Sequence, residues 1–108
     1  MTRKVIILDI AKADFREIRK YVKREFGDNV WEEVNQEFKN TIQEIGNNPE
    51  IGSFIEELEN LGLNEFRKTL VRQSRVIYEF DDEKVIVHMF IHTRQDFRTH
   101  LEKRILKS

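Results

Sequence analysis

Three short apolar runs crowd the stretch from Glu65 to His92, and nothing else in the chain restricts its fold as much. They are Glu65 to Val71, Arg75 to Phe80 and Lys84 to His92, each rich in β-branched and aromatic residues. Only Asp81-Asp82-Glu83 separates the second from the third, so the spacing predicts three strands in an antiparallel meander. Alternation groups Arg67, Thr69 and Val71 on one side, with Arg75, Ile77 and Glu79, and with Ile86, His88, Phe90 and His92. The remaining set, Val76, Tyr78, Phe80, Val85, Val87, Met89 and Ile91, is more continuously apolar and is expected to face the helices. A bulge or a one-residue slip would regroup these positions.

Upstream, the period changes. Residues 3–8 are rich in Val and Ile and read as a first strand, after which Ala11, Phe15, Ile18, Val22 and Phe26 fall on one helical stripe. Gly27 suits a helix end that needs positive φ, and Asp28 suits the next helix start. Val30, Val34, Phe38, Ile42 and Ile45 continue a second helix until Gly46-Asn47-Asn48-Pro49 stops it. An antiparallel helical hairpin follows. Residues 50–64 hold two glycines and several acidic residues around Ile51, Phe54, Ile55, Leu58 and Leu61, which predicts an irregular connection or a single helical turn. Phe97, Leu101 and Ile105 predict a terminal helix over 96–106, capped by Asp96. The expected fold is α+β, one domain over 1–108. It has a short N-terminal strand, a helical hairpin on a small mainly antiparallel sheet, and a C-terminal helix.

The net charge of −1 conceals three blocks. Residues 1–27 carry 8 Lys/Arg against 4 Asp/Glu, residues 28–65 carry 1 against 10, and residues 66–108 carry 10 against 6, giving +4, −9 and +4. Such asymmetry governs partner choice and encounter rate more than fold, and it lacks the strongly basic balance of a dedicated nucleic-acid binder. The chain has no cysteine, which excludes disulfides and thiolate chemistry. The N-terminal apolar run ends at Asp9, too early for a signal peptide or membrane span, so a cytoplasmic protein without membrane contact is expected. His88 and His92 on one strand lie about 13 Å apart and cannot share a metal ion. No glycine-rich phosphate loop follows a strand, so no cofactor is expected.

Several segments in this order resemble the RelE/ParE toxin superfamily. Ala11-Lys12-Ala13-Asp14-Phe15, continuing through Ile18 to Tyr21, is similar to the family's first helix, and Asn48-Pro49-Glu50-Ile51-Gly52 to its Asn-Pro-x-x-Gly. Arg67 resembles the arginine of its Leu-Arg strand. Arg75-Val76-Ile77-Tyr78-Glu79 with Asp81-Asp82 resembles its Arg-x-x-Tyr strand and acidic turn, and His92-Thr93-Arg94-Gln95-Asp96 resembles the ending of the ParE branch. Met89 stands where that branch often has an arginine.

The ParE resemblance implies the toxin of a type II toxin–antitoxin system of the plasmid-stabilisation kind. Such a toxin inhibits DNA gyrase without hydrolytic chemistry and is neutralised by a ParD-like antitoxin. Arg67, Arg75, His88, His92 and Arg94 are then candidates for target or partner binding, with Tyr78 and Asp96 structural. The RelE resemblance implies instead a ribosome-dependent mRNA endonuclease, in which Lys68, Arg75, Arg94 and His100 would supply base, phosphorane stabilisation and proton donor. A third reading is a non-toxic domain that only binds its antitoxin. An antitoxin is expected to wrap the domain and fill apolar grooves, with Trp31, Phe54, Phe66 and Phe90 as candidate linings and acidic residues against the basic face.

Overall fold

The computed structural model describes residues 2–93, 99–100 and 103–104. In chain order the elements are β1 (Lys4–Ile7), α1 (Asp9–Phe26), α2 (Asp28–Asn47), a 3-10 turn (Pro49–Ile51), β2 (Ser53–Phe54), α3 (Glu56–Glu59), β3 (Phe66–Val71), β4 (Ser74–Phe80) and β5 (Lys84–His92). The expected α+β architecture is present, with the meander and helical hairpin within a residue or two of their sequence bounds. The terminal helix expected over 96–106 falls largely outside the described residues.

The five strands form one sheet in the order β1-β5-β4-β3-β2. β1 pairs with β5 in parallel, whereas β5-β4, β4-β3 and β3-β2 are antiparallel. The hairpin α1–α2 turns at Gly27, whose φ of 91° is a conformation that side-chain-bearing residues avoid. It lies across one face of the sheet and forms the main core with Ala11, Trp31, Val34, Phe38, Ile45, Val76, Tyr78, Val85 and Val87. Phe15, Phe38 and Phe90 meet edge-on or tilted at its centre, with centroids 5.1 to 5.6 Å apart.

The opposite face is covered too. The connection after α2, expected as irregular, makes the two-residue strand β2 and the single turn α3, which lays Ile55 and Leu58 on Phe66, Ile77, Met89 and Ile91. Both Ile55 and Leu58 are essentially fully buried.

Two features regroup the side chains relative to simple alternation. Ile77 pairs with Met89 but Tyr78 pairs with Val87, so His88 is an extra residue in β5 that reverses its alternation. Met89 and Ile91, expected against the helices, therefore enter the second core, while Phe90 and His92 turn to the helix side. The β3–β4 turn is the second cause. Val71 pairs with Ser74 across the two residues Arg72 and Gln73, so odd positions of β3 share a face with even positions of β4. Arg67 accordingly lies beside Tyr78 on the helix side, and Arg75 lies beside Leu70 on the other.

Candidate interaction site

The residues singled out in the sequence do not converge. Arg75, His88 and Lys68 share the second face, whereas Arg67 and His92 stand on the helix side near different ends of the sheet. Arg94 and Asp96 lie outside the described residues.

On the second face two of these three basic side chains are already engaged. The guanidinium of Arg75 faces the carboxylate of Glu57 on α3 at 3.6 Å, and His88 Nε2 lies 3.0 Å from Glu79 Oε1, its ring edge-on to Phe66. Among the described residues, no hydrogen bond or ion pair joins Lys68, Arg75 and His100. Fully burying one Leu or Ile side chain contributes about 1.5–3 kcal/mol, so lifting Ile55 and Leu58 away would cost about 3–6 kcal/mol. The open population would then be below about one in a hundred, because 1.4 kcal/mol is a factor of ten. Among the described residues this face is closed by packing.

Arg67 and Tyr78, expected to bind a partner and to be structural respectively, form one internal latch. The Tyr78 hydroxyl donates to the carbonyl of Pro49 at 2.7 Å and accepts from the amide of Gly52 at 3.0 Å. Burial pushes that hydroxyl's pKa up, which keeps its proton in place to donate. Arg67 donates to the carbonyls of Gly52 and Glu50 at 2.9 and 3.3 Å, its guanidinium stacked 4.5 Å from the Phe54 ring centroid. A Cβ on Gly52 would sit 2.3 Å from the Tyr78 oxygen and 2.8 Å from the Lys68 carbonyl, so only glycine permits the approach. The Asn-Pro-x-x-Gly segment, the arginine and the tyrosine thus hold the path that carries α3 across the sheet. The acidic turn is structural as well. Asp81 accepts the amides of Glu83 and Lys84 at 2.8 and 2.9 Å, which lowers its pKa.

Asp14, another residue of the family-like segments, also has a defined place. β1 ends opposite Val87, so among the described residues the outer edge of β5 beyond it has no strand. There the Asp14 carboxylate accepts the Phe90 amide at 3.2 Å and is gripped by Arg104 through bonds of 3.0 and 2.5 Å.

On the helix side apolar surface stays open. α1 is 18 residues long, yet just Ala11 and Val22 are buried, while Ile10, Tyr21 and Phe26 are 42 to 61% exposed. Two apolar grooves border the hairpin. The first, about 690 Å³, runs past Ile18, Tyr21, Phe26, Val30 and His92 with a mixed rim of Asp14, Glu17 and Arg72. The second, about 540 Å³, lies between β1 and the hairpin, floored by Val5, Ile7, Phe15, Phe38 and Ile42. Its charged lining among the described residues is entirely basic: Arg3, Lys12, Arg16 and Lys39. Of the proposed aromatic linings, Phe90 borders both grooves, Trp31 and Phe66 are core, and Phe54 lies under Arg67. Sequence reading missed the basic rim, although Lys12 and Arg16 flank Phe15 one turn apart. Among the described residues, no group of three or more His, Cys, Asp or Glu could hold a metal ion, and no helix is long and apolar enough to cross a membrane.

Residues 5–97 match the family model described as ParE toxin of type II toxin-antitoxin system, parDE. Among solved structures, the fold is similar to one titled as the chromosomal ParDE TA system from P. aeruginosa. That similarity has a TM-score of 0.69 at 9% identity, covering 86% of this chain and 98% of the other. It is also similar to a mutant of the E. coli toxin RelE in the free state, with a TM-score of 0.58 at 20% identity, covering 97% and 99%. No curated protein matches the sequence.

Proposed function

The chain belongs to the ParE toxin family of type II toxin–antitoxin systems, and from that premise we propose that it is a cytoplasmic toxin that inhibits DNA gyrase by binding, without cleaving a substrate. The observation that carries this reading is the closed second face. An endonuclease must gather unpaired cations around a phosphate, whereas here Arg75 faces Glu57 and His88 faces Glu79 beneath a packed turn. Exposed acidic residues on and beside that turn, Glu56, Glu59 and Glu65, would further repel an RNA backbone.

The under-buried α1 and the two grooves support a cognate antitoxin that completes the apolar surface when it neutralises the toxin. Two assays test the proposal. Induction of the chain alone should arrest growth, and co-expression of the small frame beside its gene should restore it. Purified chain should inhibit supercoiling by gyrase at micromolar concentration; cleavage of message in a translating extract, with supercoiling untouched, would replace this reading with the RelE-like one.

A further inference from the structure

We propose that the outward face of α1, carrying Arg16, Arg19, Lys20 and Lys23, is a contact for the phosphate backbone of duplex DNA, so that the chain touches the DNA that gyrase holds as well as the enzyme. The inference rests on the gyrase reading and adds a second component to what is bound.

At about 100° per residue these four side chains fall within one sector about 100° wide, and Lys12 extends it by one turn. Asp14 and Glu17, the acidic residues between positions 12 and 23, fall outside that sector. The spacing works against the helix. Lys12 and Arg16, Arg16 and Lys20, Arg19 and Lys23, and Lys20 and Arg24 are all like-charge pairs four residues apart, which repel one another. An ordinary solvated face sets opposite signs at this spacing and so supports its helix. A polyanion laid along the face removes the repulsion.

Little counter-charge is in place. Lys20 and Lys23 have surface contacts with Glu17 at 3.4 Å and Asp28 at 3.9 Å, whereas Arg16 and Arg19 make no hydrogen bond or ion pair among the described residues. On α2, Glu33 and Glu37 are turned to Arg72.

The make-up of the face selects a duplex. Protein interfaces are anchored by buried aromatic or aliphatic side chains, and single-stranded nucleic acids by stacked aromatic rings. This face offers neither, because Ile18 and Tyr21 line the first groove, Val22 is buried, and Arg24 lies over the Tyr21 ring. What remains is a straight row of cations, about 10 Å long from Arg16 to Lys23 and about 16 Å with Lys12. One strand of a duplex presents a charge about every 3.4 Å, so the row spans roughly three to five phosphates. A net charge of −1 suits a chain that adds contacts to DNA presented by a partner.

The full chain can be titrated onto a fluorescent DNA duplex of about 30 base pairs across a series of salt concentrations. Arg19→Ala, Lys20→Ala and Lys23→Ala together, at positions that line neither groove, should flatten the slope of log affinity against log salt by about 2 to 3 and weaken low-salt binding at least about tenfold. Lys4→Ala, Lys84→Ala and Lys103→Ala, an equal charge change elsewhere, should flatten it by less than about one. Matched melting curves establish that each variant folds. In a supercoiling assay the first triple variant should need at least about threefold more protein for half-inhibition. Equal slopes in the two triple variants, or no duplex binding by the unaltered chain at low salt, would overturn the proposal. So would tighter binding of single-stranded RNA, an RNA duplex or poly-glutamate than of the DNA duplex. Undiminished inhibition by the first triple variant would remove the DNA contact and keep the gyrase reading. Duplex binding that depends on this face, in a chain that leaves gyrase untouched, would do the opposite.

Discussion

The two faces of the sheet solve the same burial problem in opposite ways. On the second face a four-residue turn, α3, brings Ile55 and Leu58 over Phe66, Ile77, Met89 and Ile91, and Arg75 faces Glu57 while His88 faces Glu79. On the helix side two long helices supply far more apolar surface, yet grooves of about 690 and 540 Å³ stay open. The smaller device makes the finished surface, and the larger one leaves a surface for a partner to finish. In the function proposed here, binding follows from where burial is incomplete.

That contrast is broken most directly by deleting apolar atoms on each side. Leu58→Ala should destabilise the isolated chain by about 2–5 kcal/mol, since its site is fully buried. Ile42→Ala, on a half-buried groove floor, should cost about 1–2 kcal/mol in the free chain. Denaturant titration of both variants measures the difference, and equal losses would mean that the groove is as tightly packed as the second face. Tyr78→Phe probes the latch behind α3. It strands the Pro49 carbonyl and the Gly52 amide and should cost about 1–3 kcal/mol. Hydrogen exchange should show the added opening concentrated in residues 49–59.

Smaller effects sharpen the edges of the comparison. Asp14→Asn keeps an acceptor for the Phe90 amide but removes the charge facing Arg104. A loss of about 1–2 kcal/mol in a chemical melt is expected. The smallest effect is at the β3–β4 turn, where Arg72 bridges Glu33 and Glu37 of α2. Hydrogen bonds from Arg72 are the main cause that holds the Glu37 carboxyl below its usual range. A depressed folded-state pKa adds stability above the unfolded value, near 4.3, and loses it as pH falls from there through the folded value. Because both side chains are more than 40% exposed, the gain should be about 0.5 kcal/mol. Arg72→Met should flatten the stability profile over that acidic window.

Much of the fold was legible because its signals are local. The alternation from Phe66 to His92 and the helical stripe from Ala11 to Phe26 do not depend on distant residues. The grouping of side chains was not legible, because it hangs on one extra residue at His88 and on a two-residue turn at Arg72-Gln73. Arg67 and Arg75 both stand in predicted strands, yet one is an internal latch and the other faces Glu57 of α3. Tyr78 was readable as structural from its motif, although its partners Pro49 and Gly52, more than 25 positions away, were not. The basic rim escaped notice because Lys12 and Arg16 of α1, Lys39 of α2 and Arg3 just before β1 are brought together only by the fold.

The central claim, a toxin that acts by binding while its second face stays closed, is tested most directly by Lys68→Ala together with Arg75→Ala. Supercoiling by purified gyrase should be inhibited by this folded double variant as strongly as by the unaltered chain. Loss of toxicity in the double variant, together with loss of message cleavage that the unaltered chain performs, would contradict it.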